Sequence, residues 1–233
     1  MVKKKKKREQ LPDEILPIPC SDKKFQEKWY KGRNLLNFPH SWRAILSGSP
    51  GSGKSTCIKN IILRANPSFD EVVVSHFGAG QTTEWDDIGA TMIDFIPDPH
   101  DIPAEGRKLL VIDDWDLSIL PKKDKHNLNR LFGYASSHKS LSIALTAQDS
   151  FNVPVSARRM ASIFILYRQP DVNALSLMAR RTGINTKEFL EIFSTHVRNT
   201  HDSLWVDLTT GSPCRYRING YTSISDSENN LDI

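Results

Sequence analysis

The sequence predicts an α/β domain, a mostly parallel sheet flanked by helices on both faces. Three observations predict it. Short apolar runs alternate with segments of helical period, the order that builds parallel sheets sandwiched by helices. The run EVVVSH at 71–76 is β-branched through its centre, as in a strand covered on both faces. Two adjacent acids and a glutamine fall at the carboxyl ends of such strands, where open α/β sheets bind their ligands. Length agrees, because 233 residues fit one such domain with tails, or at most two small ones.

Residues 1–20 combine the run KKKKKR (3–8) with Pro12, Pro17 and Pro19 and read as a disordered basic arm. Such an arm is a solubility tail, a nuclear import signal or a contact to the DNA backbone. Residues 25–36 carry Trp29, Tyr30, Leu35 and Leu36, which are expected to pack ahead of the first strand. That strand is 44–46. A helix over 54–65 follows, with Cys57, Ile58, Ile61 and Ile62 at helical spacing, and Asn66-Pro67 ends it. Further strands are expected at 71–76 and 91–96, around a polar loop over 78–89. Another, LLVI at 109–112, runs into Asp113 and Asp114; one at 141–146 is closed by Gln148, and the next is 162–167. Helices are expected over 122–136, 171–181 and 186–195, the last two separated by Gly183. A terminal hairpin joins 204–208 to 215–218 across Thr210, Gly211, Ser212 and Pro213. Residues 221–233 read as a flexible acidic tail, which leaves 21–220 as one domain.

The charge is less basic than its total implies. The formal net charge is +4, but the run at 3–8 supplies six of the 31 basic residues, against 27 acids in the whole chain. A globally basic body is thereby excluded, and any nucleic-acid surface on it must come from local clustering. Cys20, Cys57 and Cys214 form no C-x-x-C pair, which argues for a reducing compartment and against a zinc site. No apolar run approaches 18 residues, and the lysine run precedes no apolar segment. Neither a membrane span nor a signal peptide is expected, and the protein is expected to be soluble and intracellular.

Residues 48–55 read Gly48-Ser49-Pro50-Gly51-Ser52-Gly53-Lys54-Ser55, the P-loop pattern G-x-x-x-x-G-K-[ST] in full, between a strand and a helix as that motif requires. The glycines let backbone N–H groups close on a phosphate, and the helix N-terminus adds donors and the positive end of its dipole. A nucleoside triphosphate is the expected ligand, bound along Gly48 to Thr56. Lys54 is expected to reach the β- and γ-phosphates and Ser55 to ligate Mg²⁺. LLVIDD fits the second half of such a site, with Asp113 in the Mg²⁺ shell and Asp114 orienting or deprotonating the attacking water. Gln148 is placed to touch both the γ-phosphate and that water. The competing structural readings are a glycine-rich turn, a helix cap made by the acids and a buried glutamine.

The succession GSPGSGKS, LLVIDD and SIALTAQDSFNVPVSARRMASIFILYR resembles the FtsK–HerA superfamily of DNA-pumping ATPases. Within it, the chain is most similar to the genome-packaging ATPases of poxviruses, other large DNA viruses, virophages and Polinton-like elements. That family pairs two aspartates at this strand end and follows its sensor glutamine with an aromatic, a proline and an arginine, here Gln148, Phe151, Pro154 and Arg158. The resemblance covers 44–168, about half of the chain, and 148–168 carries it, since a P-loop alone is generic. It implies a RecA/ASCE-like P-loop NTPase fold, ATP with Mg²⁺, and translocation of double-stranded DNA into a preformed capsid. It also implies capsid or portal partners, a homo-oligomeric ring (a hexamer) and residence in the host nucleus or at the viral assembly site. One departure stands out. The family's Gly-Arg-His before the sensor strand is Ser136-Ser137-His138 here, so either another arginine acts across a subunit interface, Arg158 ahead of Arg159 and Arg130, or trans-activation is weaker than in the family. Three other readings compete. Asp86-x-x-Gly89 matches a GTPase element, without an N-K-x-D base-reading motif; Arg158-Arg159 or Arg180-Arg181 would serve as a nucleotide-kinase lid. The third is an ATP-gated DNA-binding or assembly factor with little turnover.

Overall fold

The computed structural model describes residues 36–169, 171–210 and 215–224. The basic arm, the aromatics at 29 and 30, Cys20, Cys214, the turn at 211–213 and most of the acidic tail lie outside the described residues. In chain order the elements are β1 (Arg43–Ser47), α1 (Lys54–Leu63), β2 (Glu71–His76), β3 (Thr91–Ile93), β4 (Lys108–Asp113) and α2 (Lys122–Arg130). A π turn (Leu131–Ala135) and a last α turn (Ser136–His138) continue α2. Then come β5 (Leu141–Ala147), α3 (Val155–Met160), β6 (Ile163–Tyr167), α4 (Val172–Ala179), α5 (Thr186–His196), β7 (Ser203–Asp207), β8 (Tyr216–Ile218) and β9 (Thr222–Ser223).

These strands form one sheet in the order β3-β2-β4-β5-β1-β6-β7-β8-β9. From β3 to β6 every pairing is parallel. From β6 to β9 every pairing is antiparallel, so the last three strands extend the sheet as a meander. All residues of β4, β5 and β6 are buried, as the interior of a parallel sheet covered on both sides demands.

Alternation along each strand divides the core in two. Ile45, Ile112, Leu145, Phe164 and Val206 face α2 to α5, meeting Leu128, Phe132, Met178 and Phe189. Their neighbours Leu46, Val111, Ala144, Ile165 and Trp205 face the other way, where Ile58 and Ile61 of α1 pack with Phe38, Trp42 and Trp85. Four helices cover one face; α1 and a group of aromatic side chains cover the other. The expected two-sided α/β architecture is what forms.

The differences from expectation are local. The strand expected over 91–96 stops at Ile93, and Ile96 enters the core from a loop. The stretch after Gln148, expected to be loop, contains α3. Pro154, with φ −53°, sits at its N-cap, where a missing N–H costs nothing, and Ala157 and Met160 are good helix formers. The segment at 222–223, expected in the tail, pairs with β8 as β9.

Candidate functional site

The phosphate loop leaves β1 under tight steric control. A Cβ on Gly48 would lie 2.5 Å from Cβ of Tyr167 on β6, so only glycine lets β1 turn into the loop beside that strand. Gly48 N–H still donates to the Ala147 carbonyl at 3.1 Å, which seats the loop on the end of β5. Gly53, at φ 97°, turns the chain into α1. That helix start has no side-chain cap and no acid in its first turn, so its N–H groups and dipole face the loop uncompensated. Lys54 Nζ donates to the Gly48 and Ser49 carbonyls at 2.7 and 2.9 Å. Burial lowers its pKa, and the charges of Asp113 and Asp114 oppose that shift.

A cleft of about 810 Å³ opens over this loop, lined by Pro50 to Thr56 together with Asp113, Asp114, Thr146 and Gln148. Gly48 and Ser49 are not among its walls, and their carbonyls act through Lys54. The sheet order explains the convergence. Strand β5 lies between β1 and β4, so Thr146 and Gln148 stand between the phosphate loop and the two acids.

Asp113 is only 4% exposed. Its Oδ1 accepts from Thr146 Oγ1 at 2.8 Å, and its Oδ2 accepts from Trp85 Nε1 at 3.2 Å. Burial raises its pKa; the Thr146 bond is the main opposing influence, with Glu84 raising it and His76 and Trp85 lowering it. The Thr146 hydroxyl also accepts from the Asp114 backbone N–H at 3.2 Å, so one hydroxyl holds both acids in place. Asp114 sits at φ 54°, in the left-handed region, and its side chain is exposed in the cleft. Gln148 Nε2 donates to Asp114 Oδ1 at 2.9 Å.

No family model and no curated relative matches the sequence. Solved structures match in fold. The genome-packaging NTPase B204 from Sulfolobus turreted icosahedral virus 2, in complex with AMPPCP, superposes with a TM-score of 0.54 at 17% identity, over 76% of this chain and 96% of that one. The DNA-packaging ATPase B204 from Sulfolobus turreted icosahedral virus gives 0.54 at 14% identity, over 76% and 95%. The pCW3 conjugation coupling protein TcpA, with ATPγS, gives 0.54 at 13% identity over 81% of this chain and 62% of that one. The chain has a P-loop NTPase fold.

Within that P-loop NTPase fold, the donor set suits Mg²⁺. Ser55 and Asp113 both line the cleft and both offer oxygen. Among the described residues no group of three or more His, Cys, Asp or Glu could hold a metal unaided. A cation here would complete its shell with phosphate oxygens and water, the usual manner for Mg²⁺. Ser52 adds a buried hydroxyl with no hydrogen-bond partner, at the heart of the loop.

The structure does not bring Arg158 to the cleft. It lies on α3, 8% exposed, and its Nη1 donates to the Ser150 carbonyl at 3.2 Å. Ser150 in turn bonds Ser47 and Gln169. Burial lowers the Arg158 pKa, and nearby Arg181 adds to the shift. Arg159 is exposed, and Arg130 bonds His100 at 2.8 Å. Asp86 and Gly89, the GTPase-like pair, begin and cap a 3-10 turn and are not cleft walls; Asp87 between them pairs with Lys59 at 2.9 Å.

Sequence reasoning missed Trp85 and Thr146. Trp85 is fully buried in what reads as a polar loop, under Lys59 of α1 at 5.7 Å from its ring. A lone tryptophan in such a loop was the available signal. Thr146 had none beyond its place two residues before Gln148.

Proposed function

We propose that this chain is an ATP hydrolase that drives double-stranded DNA into a preformed viral capsid. The observation that carries the reading is a single cleft holding Lys54, Ser55, Asp113, Asp114 and Gln148. In it, Lys54 and the α1 N-terminus bind the β- and γ-phosphates. Ser55 and Asp113 hold Mg²⁺, which when bound neutralises charge on the phosphate oxygens. Asp114 accepts the proton of the water that attacks the γ-phosphorus, and ADP leaves. Gln148, bonded to Asp114, carries the state of that carboxylate to the end of β5.

The likeness to proteins named for genome and DNA packaging supports DNA as the cargo. A ring of six identical subunits and a capsid or portal as its mount are proposed with it. The workplace is the host nucleus or the viral assembly site. The ATPase domain, expected over 21–220, is proposed to run on through β9 at 222–223, between the basic arm and the acidic tail. Phosphate release measured with and without double-stranded DNA tests this. DNA-stimulated turnover of ATP is expected. ATP binding with negligible turnover would leave an assembly switch, and strict guanine selectivity would leave a GTPase.

Arg158 is proposed as the cation acting on a neighbour's ATP, which requires its side chain to exchange the Ser150 carbonyl for a phosphate. Arg158→Ala is then expected to bind ATP normally and to hydrolyse it about 10³-fold more slowly. Mixing it with Lys54→Ala is expected to restore turnover, since an intact arginine can face an intact loop. Mixed assemblies without recovery would assign Arg158 to bracing its own loop.

A further inference from the structure

The nucleotide cleft continues past the phosphate loop on the side away from the acids. Its walls there are Asn60 of α1, Arg64 just past the end of that helix and, from the antiparallel edge, His201, Asn219 and Tyr221. Sheet order fixes the direction. Strands β5 and β4, with Gln148 and the acids, lie to one side of β1, and β6, β7 and β8 lie to the other. A triphosphate whose γ end meets Asp114 therefore carries its sugar and base toward the β8–β9 turn.

That turn is held rigidly. Asn219 and Gly220 both adopt positive φ, 52° and 82°. The Asn219 N–H donates to the Ser203 carbonyl at 2.9 Å, and its Oδ1 accepts from the Ser203 N–H at 2.8 Å, so the turn is pinned to β7 in both directions. A Cβ on Gly220 would come within 3.1 Å of Leu36 and 3.2 Å of Trp205, so the turn also presses on the aromatic core. At the start of β7, His201 Nδ1 lies 3.3 Å from the Ser52 carbonyl, which ties this edge to the phosphate loop. Tyr221 follows the turn. It is 54% exposed and yet a wall of the cleft. An open phenol ring on a fixed turn is a stacking platform.

We infer that the β8–β9 turn forms the nucleobase subsite, with the base stacked on Tyr221. The inference rests on the nucleotide-binding reading proposed above. Recognition is by the face of the base rather than its edges, because the polar groups alongside are engaged. Asn60 Nδ2 donates to the Thr56 carbonyl and its Oδ1 accepts from Arg64, while Asn219 Oδ1 serves Ser203. The ligand class is thus a nucleoside triphosphate held by its phosphates and by an aromatic ring. The meander that extends the parallel sheet gains a role beyond covering its edge.

Calorimetric titration of ATP and of inorganic tripolyphosphate, each with Mg²⁺, tests this on the full chain. Tyr221→Ala is expected to weaken ATP about tenfold, the scale of one base–aromatic stack, and to leave tripolyphosphate unchanged. Tyr221→Phe, which keeps the ring, is expected to match wild type. Unchanged ATP affinity in Tyr221→Ala would overturn the inference, as would equal weakening of both ligands, which would make the turn a brace for the loop. A wild-type protein that binds tripolyphosphate no better than Lys54→Ala does would sink the phosphate-loop reading itself, and the subsite with it.

Discussion

The two sides of the phosphate loop are built on opposite plans. Toward β4 and β5, the groups that matter are fixed by bonds to one another: Asp113, buried, between Thr146 and Trp85, and Asp114, exposed, against Gln148. Toward β8 and β9, the backbone is fixed and the side chain it presents, Tyr221, stays open. The difference fits the tasks proposed for the two sides. A carboxylate that must meet a cation or a water in one geometry gains from preset partners, which remove reorganisation, and Asp113 gains further from the desolvation that strengthens its electrostatics. A ring that stacks on a base needs area and access, and a rigid turn supplies both without burying it.

Breaking the acid side at its chemical end should have the largest effect. Asp114→Asn keeps the shape and the Gln148 contact but cannot take a proton, so hydrolysis should fall by about 10²–10⁴-fold with ATP affinity unchanged. Steady-state turnover beside a binding titration checks it, and wild-type turnover would move the role to another acid.

A smaller effect is expected one layer out. Trp85→Phe keeps a ring in the core but removes the N–H that holds Asp113 Oδ2. Half-maximal Mg²⁺ in nucleotide binding should rise by about tenfold, the low end for losing a bond to a metal ligand. Thermal unfolding without nucleotide should show a cost of about 1–3 kcal/mol from the smaller side chain and the lost bond. An unchanged Mg²⁺ requirement with lowered stability would reduce Trp85 to a packing residue. On the hairpin side, Tyr221→Ala should move neither of these readouts, and that contrast tests the two-plan description directly.

How far each side could be read in the sequence follows from the same contrast. The phosphate loop and LLVIDD are local patterns, in which spacing along the chain already is the geometry, and both lie where the pattern puts them. The core strands were legible because β-branched and apolar runs have one good use in an α/β fold. Trp85 and Tyr221 were not legible. Trp85 reaches Asp113 and Tyr221 reaches the cleft through sheet order, and sheet order is a long-range fact that no local window holds. Arg158 marks a different limit. Its position after Gln148 was read as loop, but Pro154 starts a helix there and turns the guanidinium inward to Ser150.

The left-handed backbone at Asp114 acts as a filter on descent. With φ at 54°, the position admits asparagine, aspartate and glycine readily and penalises β-branched or bulky residues before any chemistry is considered. Mutational drift away from the carboxylate therefore has two inexpensive exits, Asn and Gly, and one of them is a single amide away from the active form. A lineage that gave up hydrolysis but kept nucleotide binding would carry its history at this one position, legible without a structure.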